Sequence, residues 1–332
     1  AIEDGTTAGN ITLTGAGITS AAITSTGEKN TVGAIDLAAA KTVTLDASTN
    51  LTATSIATTA TLGTLTISGA GAVSIGTLDA GLDTVNASGN SGGLTAVIGT
   101  ETDTVLTGSS GADKITASST DSIAATAKLA VNAGDGTDTL VLGDANDVNS
   151  AADGARYTGF EALDVSGSQD MSLIAGIESV AITGDSITLS NMTATQAANV
   201  SAKADFDALT MTLATATGTT DSASIVTASA TATTNVDVTD LSVDNFETVS
   251  VAFNTGTAGT QSAFDFAANA ADEMTALNIT GSADVKLTVD ANVMDVAAVT
   301  IDASALTGKF EIADNSGTLK SGSKVIATAQ DD

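Results

Sequence analysis

The chain has 332 residues, and its 39 Asp and Glu against 10 Lys and Arg leave a formal charge of −29. It contains no Cys, His, Pro or Trp, which excludes disulfides, thiolate chemistry, His-ligated zinc, haem and every His-based triad. Nucleic acid and anionic membrane surfaces are excluded as partners too, because phosphate binding runs on clustered Lys and Arg.

The composition nevertheless describes a folded chain. Acidic disordered chains are poor in apolar residues, whereas 42% of this chain is hydrophobic and 15% charged. Aromatics make up only 2%, so the core is expected to be thin and built from Val, Ile, Leu and Ala. A thin core suits stacked repeating layers better than one large centre. Of the acids, 31 are Asp and 8 are Glu; turns and oxygen-rich cation sites favour Asp, helix surfaces Glu. No run of 18 apolar residues is present, so no transmembrane helix is expected. The start, AIEDGTTAGN, lacks the basic and apolar regions of a secretory signal and an initiator Met. It reads as a processed product, a fragment, or an export substrate whose signal lies elsewhere. The absence of Cys fits export.

Internal repetition organises the chain. After an early copy from Asn10 (NITLTGAGITSAAI), similar units start at Thr42, Thr64, Thr84 and Thr104, spaced 22, 20 and 20 residues apart. Each reads as a short alternating strand, a small-residue turn and a second short strand. Val43 and Leu45, then Leu65 and Ile67, fall on one face. The unit returns at Leu277 and at Val299, 22 residues later. One such coil cannot bury its own apolar face, but stacked coils share a continuous core. The fold expected is therefore all-β: an elongated parallel β-solenoid, β-helix or β-roll-like, with short helical connections. Ser190–Lys203 and Gln261–Met274 are the stretches expected to supply helix, as lids or connections. Three parts are expected: Thr/Ala-rich coils over 1–98, calcium-binding turns over 99–150, and further β-rich coils over 151–332.

Between Gly99 and Val148 the turns change character. GSSGADKIT (Gly108–Thr116) fits the calcium-binding nonapeptide GGxGxDxUx except at Ser109, and AGDGTDTLV (Ala133–Val141) fits except at Ala133. IGTETDTVL (Ile98–Leu106) and LGDANDVNS (Leu142–Ser150) are partial matches. Calcium takes six to eight hard oxygen ligands. Gly-rich turns aim main-chain carbonyls at such an ion, and an Asp at the sixth position adds charge. The apolar residue that follows, Val105, Ile115 or Leu140, is expected to point into the core. The competing reading is that Asp and Gly here simply make β-turns.

Downstream, an acid-anchored strand entry recurs as GFEALDVSG (Gly159–Gly167), GIESVAITG (Gly176–Gly184) and NFETVSVAF (Asn245–Phe253). Glu161, Glu178 and Glu247 either cap neighbouring amides or reach a cation.

The passage AGDGTDTLVLGDANDVNSAADGARYTGFEALDVSG, with LATATGTTDSASIV and NFETVSVAF, resembles the calcium-dependent surface-layer proteins of the Caulobacter kind. Those are RTX-type proteins secreted by type I systems in Gram-negative bacteria. The likeness spans roughly Gly99 to Val251 at motif level. It implies a structural protein that calcium folds and crystallises into a lattice on the cell exterior. It further implies Asp103, Asp113, Asp138 and Asp147 as calcium ligands, with Gly99, Gly108, Gly111, Gly134 and Gly136 shaping the loops. Asp135 and Asp144 are extra acids that the consensus does not demand. The partners implied are further copies of the chain, and lipopolysaccharide or another surface glycan through a part not identifiable in the sequence.

Two other functions compete with the lattice subunit. A calcium-stabilised secreted adhesin binding a surface or glycan would share the fold, but sugar sites favour aromatic platforms, and the chain has one Tyr and seven Phe. A polysaccharide-cleaving β-helix enzyme would want a basic residue beside calcium. The only Arg is Arg156, which reads as a rim residue. The chain is expected not to be an enzyme.

Overall fold

The computed structural model describes residues 1–329 apart from 6, 59–62, 122, 217, 230, 258, 269–270, 272, 291–296 and 316–318. The protein is nearly all parallel β, 49% strand and 4% helix, wound as a β-solenoid of about 13 turns. It divides into two compact units, Ala1–Leu163 with Leu173–Gly176, and Asp164–Ser172 with Ile177–Asp332.

In the first unit an eight-stranded parallel sheet runs from Ile2–Glu3 through Ser20–Thr26, Thr42–Ala47, Gly63–Gly69, Leu82–Asn90, Val105–Thr107 and Ala130–Asn132 to Tyr157–Thr158. A second parallel row contains Asn30–Asp36, Leu51–Ala57, Val73–Thr77, Leu94–Gly99, Lys114–Ser118 and Thr139–Leu142. The chain alternates between the two rows, so each coil contributes one strand to each. Period-2 patterning decides which side chains go inward. Val43, Leu65, Val85, Leu106, Val131 and Tyr157 pair in register and form one buried column. Each such side chain contributes roughly 1.5–3 kcal/mol by leaving water.

The repeat frame read from Thr42, Thr64 and Thr84 holds to the residue, since these three are register partners. The fourth copy is displaced by one: Thr84 pairs with Val105, not Thr104. Thr104 is buried, and its hydroxyl donates to the carbonyl of Leu82 at 3.1 Å. That bond lets a polar side chain take an inward position and turns Val105 outward, 41% exposed. The expectation that Val105 points into the core is therefore corrected, whereas Ile115 and Leu140 are fully buried.

The second unit repeats the plan. One parallel row holds Ser179–Ile182, Val200–Ala202, Ser222–Thr227, Thr248–Phe253, Ala276–Gly281, Thr300–Asp302 and Lys324–Ile326. A seven-stranded sheet runs from Gln169–Asp170 to Phe310–Asn315. Leu277 pairs with Ile301, so this coil is two residues longer than the sequence spacing suggests. An even offset keeps the same face inward.

Both expected helical stretches are corrected. Gln261–Phe266 is a strand, because Ser262, Phe264 and Phe266 alternate inward and the Phe rings pack at centroid distances of 5.6 Å (Phe253–Phe264) and 5.0 Å (Phe264–Phe266). Within the rest of that stretch, 269–270 and 272 lie outside the described residues. Of Ser190–Lys203 only Ala194–Ala197 is helical, one turn closed by a capping box between Thr193 and Gln196. It connects Ser186–Met192 to Val200–Ala202.

Candidate functional site

In the first unit, every coil must turn from the first sheet to the second row, and backbone groups at that corner need partners. In the early coils the partner is asparagine. Asn90, buried, donates from Nδ2 to the carbonyls of Gly69 and Gly71, both at 2.9 Å. Its Oδ1 accepts the amides of Gly92 and Gly93 at 3.0 and 3.1 Å. Asn30 likewise donates to the carbonyls of Ile2 and Thr26.

From Leu94 onward, carboxylates take over the corner. The Leu94 amide donates to Asp113 Oδ1 at 2.6 Å. The Asp113 amide donates to Asp138 Oδ1 at 2.7 Å, and the Asp138 amide to Glu161 Oε2 at 2.9 Å. Each acid immediately precedes a strand of the second row: Lys114–Ser118, Thr139–Leu142 and Ala162–Val165. Its side chain thus supplies one extra rung before the backbone ladder begins.

Stacked acids at the strand spacing of about 4.8 Å repel by on the order of 3 kcal/mol per adjacent pair at an effective dielectric of about 20. Hydrogen bonds to charged groups return roughly 1.5–3 kcal/mol each. Asp113 is well compensated. Besides Leu94, it holds Ser109 twice, through the backbone amide to Oδ2 at 2.7 Å and through Oγ to Oδ1 at 2.6 Å. Ser109, the departure from the nonapeptide, is therefore a working part of the loop.

Asp138 is not compensated. It is fully buried, and its Oδ2 has no hydrogen-bond partner. Burial pushes its carboxyl up to about 6, opposed by the hydrogen bond from the Asp113 amide and reinforced by the charges of Asp113, Glu161 and Asp135. Asp147 shows the same defect in a separate turn. Its Oδ2 accepts the amides of Gly143 and Asp144 at 2.6 and 3.3 Å, while Oδ1 is buried without a partner. Burial, with smaller contributions from Asp144 and Asp121, raises its carboxyl as well.

The sixth-position acids are thus only partly brought together. Asp113 and Asp138 stack. Asp103 is exposed, precedes the first-sheet strand Val105–Thr107, and accepts the Lys128 amide at 2.9 Å. Asp147 lies in the turn after Thr139–Leu142, nine residues from Asp138 but not on its column. The cause is coil length. Lys114 pairs with Thr139, 25 residues on, so a nine-residue spacing does not span a coil. Asp135 and Asp144 are exposed. Among the glycines, Gly108 has no room for a side chain, since a Cβ would sit 1.9 Å from the Ala133 carbonyl oxygen. Gly136, at φ +143°, has a backbone that other residues rarely adopt. Gly99 and Gly134 also have positive φ, and Gly111 packs against the Ser91 carbonyl.

Glu161 and Glu247 act as amide caps, the latter accepting the Asp221 amide at 2.7 Å; Glu178 is exposed. Arg156 is no rim residue. Its guanidinium donates to the carbonyls of Ala124, Ala127 and Leu129 at 3.0–3.2 Å and lies 3.8 Å from Asp153. Tyr157 accepts the Ser118 amide at 3.0 Å from inside the core, and burial pushes its hydroxyl up to about 12.

Among the described residues no three His, Cys, Asp or Glu converge as a ready-made metal cluster. The corner's chemistry still fits a hard cation at two points, the partnerless buried oxygens of Asp138 and Asp147. Asp113, holding three donors, is satisfied without one. No protein-family model, curated protein or solved structure was found to match the chain.

Proposed function

We propose that the chain is a structural subunit of a calcium-dependent surface layer on the exterior of a Gram-negative bacterium. The observation that carries this reading is the buried, partnerless Oδ2 of Asp138 within a stack of acids. Calcium would supply the positive charge that the stack lacks. Asp138 would hold it together with Asp135 and main-chain carbonyls of the turns at 108–111 and 133–136; Asp147 and Asp144 would hold another. The chain's own residues do the rest. Amide donation along Leu94, Asp113 and Asp138 fixes the carboxylates at the corner, Ser109 holds Asp113, and the glycines let adjacent turns approach closely. Cation binding would then couple to coil stacking, because the same carboxylates join successive coils.

A glycan-binding adhesin is the second reading. All seven Phe and the single Tyr are buried, so no aromatic ring is free to stack on a sugar, which favours the lattice. A catalytic role for Arg156 is disfavoured by its engagement with three carbonyls.

Light scattering and electron microscopy test the reading. Monomers are expected in chelator and sheets or tubes in millimolar calcium, with sodium at equal ionic strength ineffective. Identical particle size in chelator, sodium and calcium would leave the adhesin reading in its place.

A further inference from the structure

The outward face of the first unit's eight-stranded sheet carries two columns of side chains in register over successive coils. One runs Ser20, Thr42, Thr64, Thr84, Val105, Ala130. The other runs from Ala22 through Thr44, Thr66, Asn86 and Thr107 to Thr158. Neither column contains a charged residue, in a chain whose net charge is −29.

Charge returns at the margins. Lys41, Asp83, Asp103 and Lys128 lie toward the N-terminal ends of these strands, and Asp46 lies beyond the second column. Val105, 41% exposed, sits beside a recess of about 340 Å³ lined by Asp83, Thr84, Asp103 and Lys128. An uncharged centre with a charged rim is the anatomy of a protein–protein contact.

We infer that this face docks on the same face of a second copy of the chain. The inference rests on the lattice reading and names a contact within it. Copies carrying this much like charge repel each other over most of their surfaces, so the place where they can approach closely is a face without charge. Parallel sheets covered by Thr and small residues can stack at about 10 Å. The rim carries both signs, so a two-fold pairing can set Lys41 or Lys128 of one copy near Asp83 or Asp103 of the other. Seven strands at about 4.8 Å and two columns about 7 Å apart give roughly 400–500 Å² per copy. A contact of that size is weak alone and gains strength when repeated through an array.

The test uses the full chain with Thr44→Glu and Thr66→Glu, and a control, Thr54→Glu, that adds charge on the other row's outer face. Circular dichroism establishes that each variant folds, and scattering in millimolar calcium reads assembly. The face variants are expected to need about tenfold more protein to assemble than the control. Mixing Thr44→Glu with Thr44→Lys chains should restore assembly that neither shows alone. If wild type assembles and the face variants match the control, or if mixing restores nothing, this contact is wrong and the lattice reading stands. If wild type stays monomeric in calcium, both fall.

Discussion

Asp113 and Asp138 occupy the same corner of successive coils, and the backbone amide of the first donates to Oδ1 of the second at 2.7 Å. The link joins two like charges through a peptide group, so each acid holds the coil before it in register. It leaves Asp138 Oδ2 buried and without a partner. Stability at this corner should therefore depend on whatever neutralises that oxygen, a proton or a cation.

The proton comes first. Asp138 has its carboxyl raised to about 6 in the folded chain, above the unfolded value of about 3.9. The folded state therefore binds the proton more tightly, so this group's contribution is greatest at low pH and is lost as pH rises through about 6. In chelator, wild type should lose stability relative to Asp138→Asn between pH 4.5 and 7. Parallel melting-temperature curves for the two proteins would contradict this.

Ser109→Ala removes the Oγ bond to Asp113 Oδ1 but keeps the amide bond to Oδ2. Loss of one hydrogen bond to a charged group should cost about 2 kcal/mol in urea unfolding. A change below about 0.5 kcal/mol, the range of ordinary surface substitutions, would show that the hydroxyl is dispensable.

Asn90→Asp tests the division of labour along the corner. Asn90 Nδ2 faces the carbonyl oxygens of Gly69 and Gly71 at 2.9 Å, where a carboxylate finds only repulsion. The substitution should cost about 3 kcal/mol at pH 7 and less at pH 4, where the new group protonates. Equal stability to wild type at pH 7 would mean that the corner accepts acid anywhere.

Much of the fold was legible because Thr and apolar residues alternate so regularly. Val43–Leu45 and Leu65–Ile67 identify the inward face, and Thr42, Thr64 and Thr84 are true register partners. The frame slipped at Thr104, where a hydroxyl found a buried acceptor in Leu82 and sat inside. It slipped at Gln261–Phe266, where the Ala-rich continuation suggested helix but Phe264 and Phe266 alternate as a strand. At the site, the nonapeptides led to Asp113 and Asp138, yet their nine-residue period could not say which acids stack. The segment 119–129 lengthens that coil and leaves Asp147 off the column. Asn90 and Glu161 share the corner without any glycine–acid motif, so only the register of successive coils reveals them.

The most direct measurement is thermal unfolding of wild type and Asp138→Asn at pH 7, each in millimolar calcium and in chelator. Wild type should gain roughly 2.7 kcal/mol when calcium stands at a hundredfold excess over its dissociation constant, and Asp138→Asn should gain clearly less. A wild-type melting temperature identical in calcium and chelator would contradict the account, as would an undiminished calcium gain in Asp138→Asn.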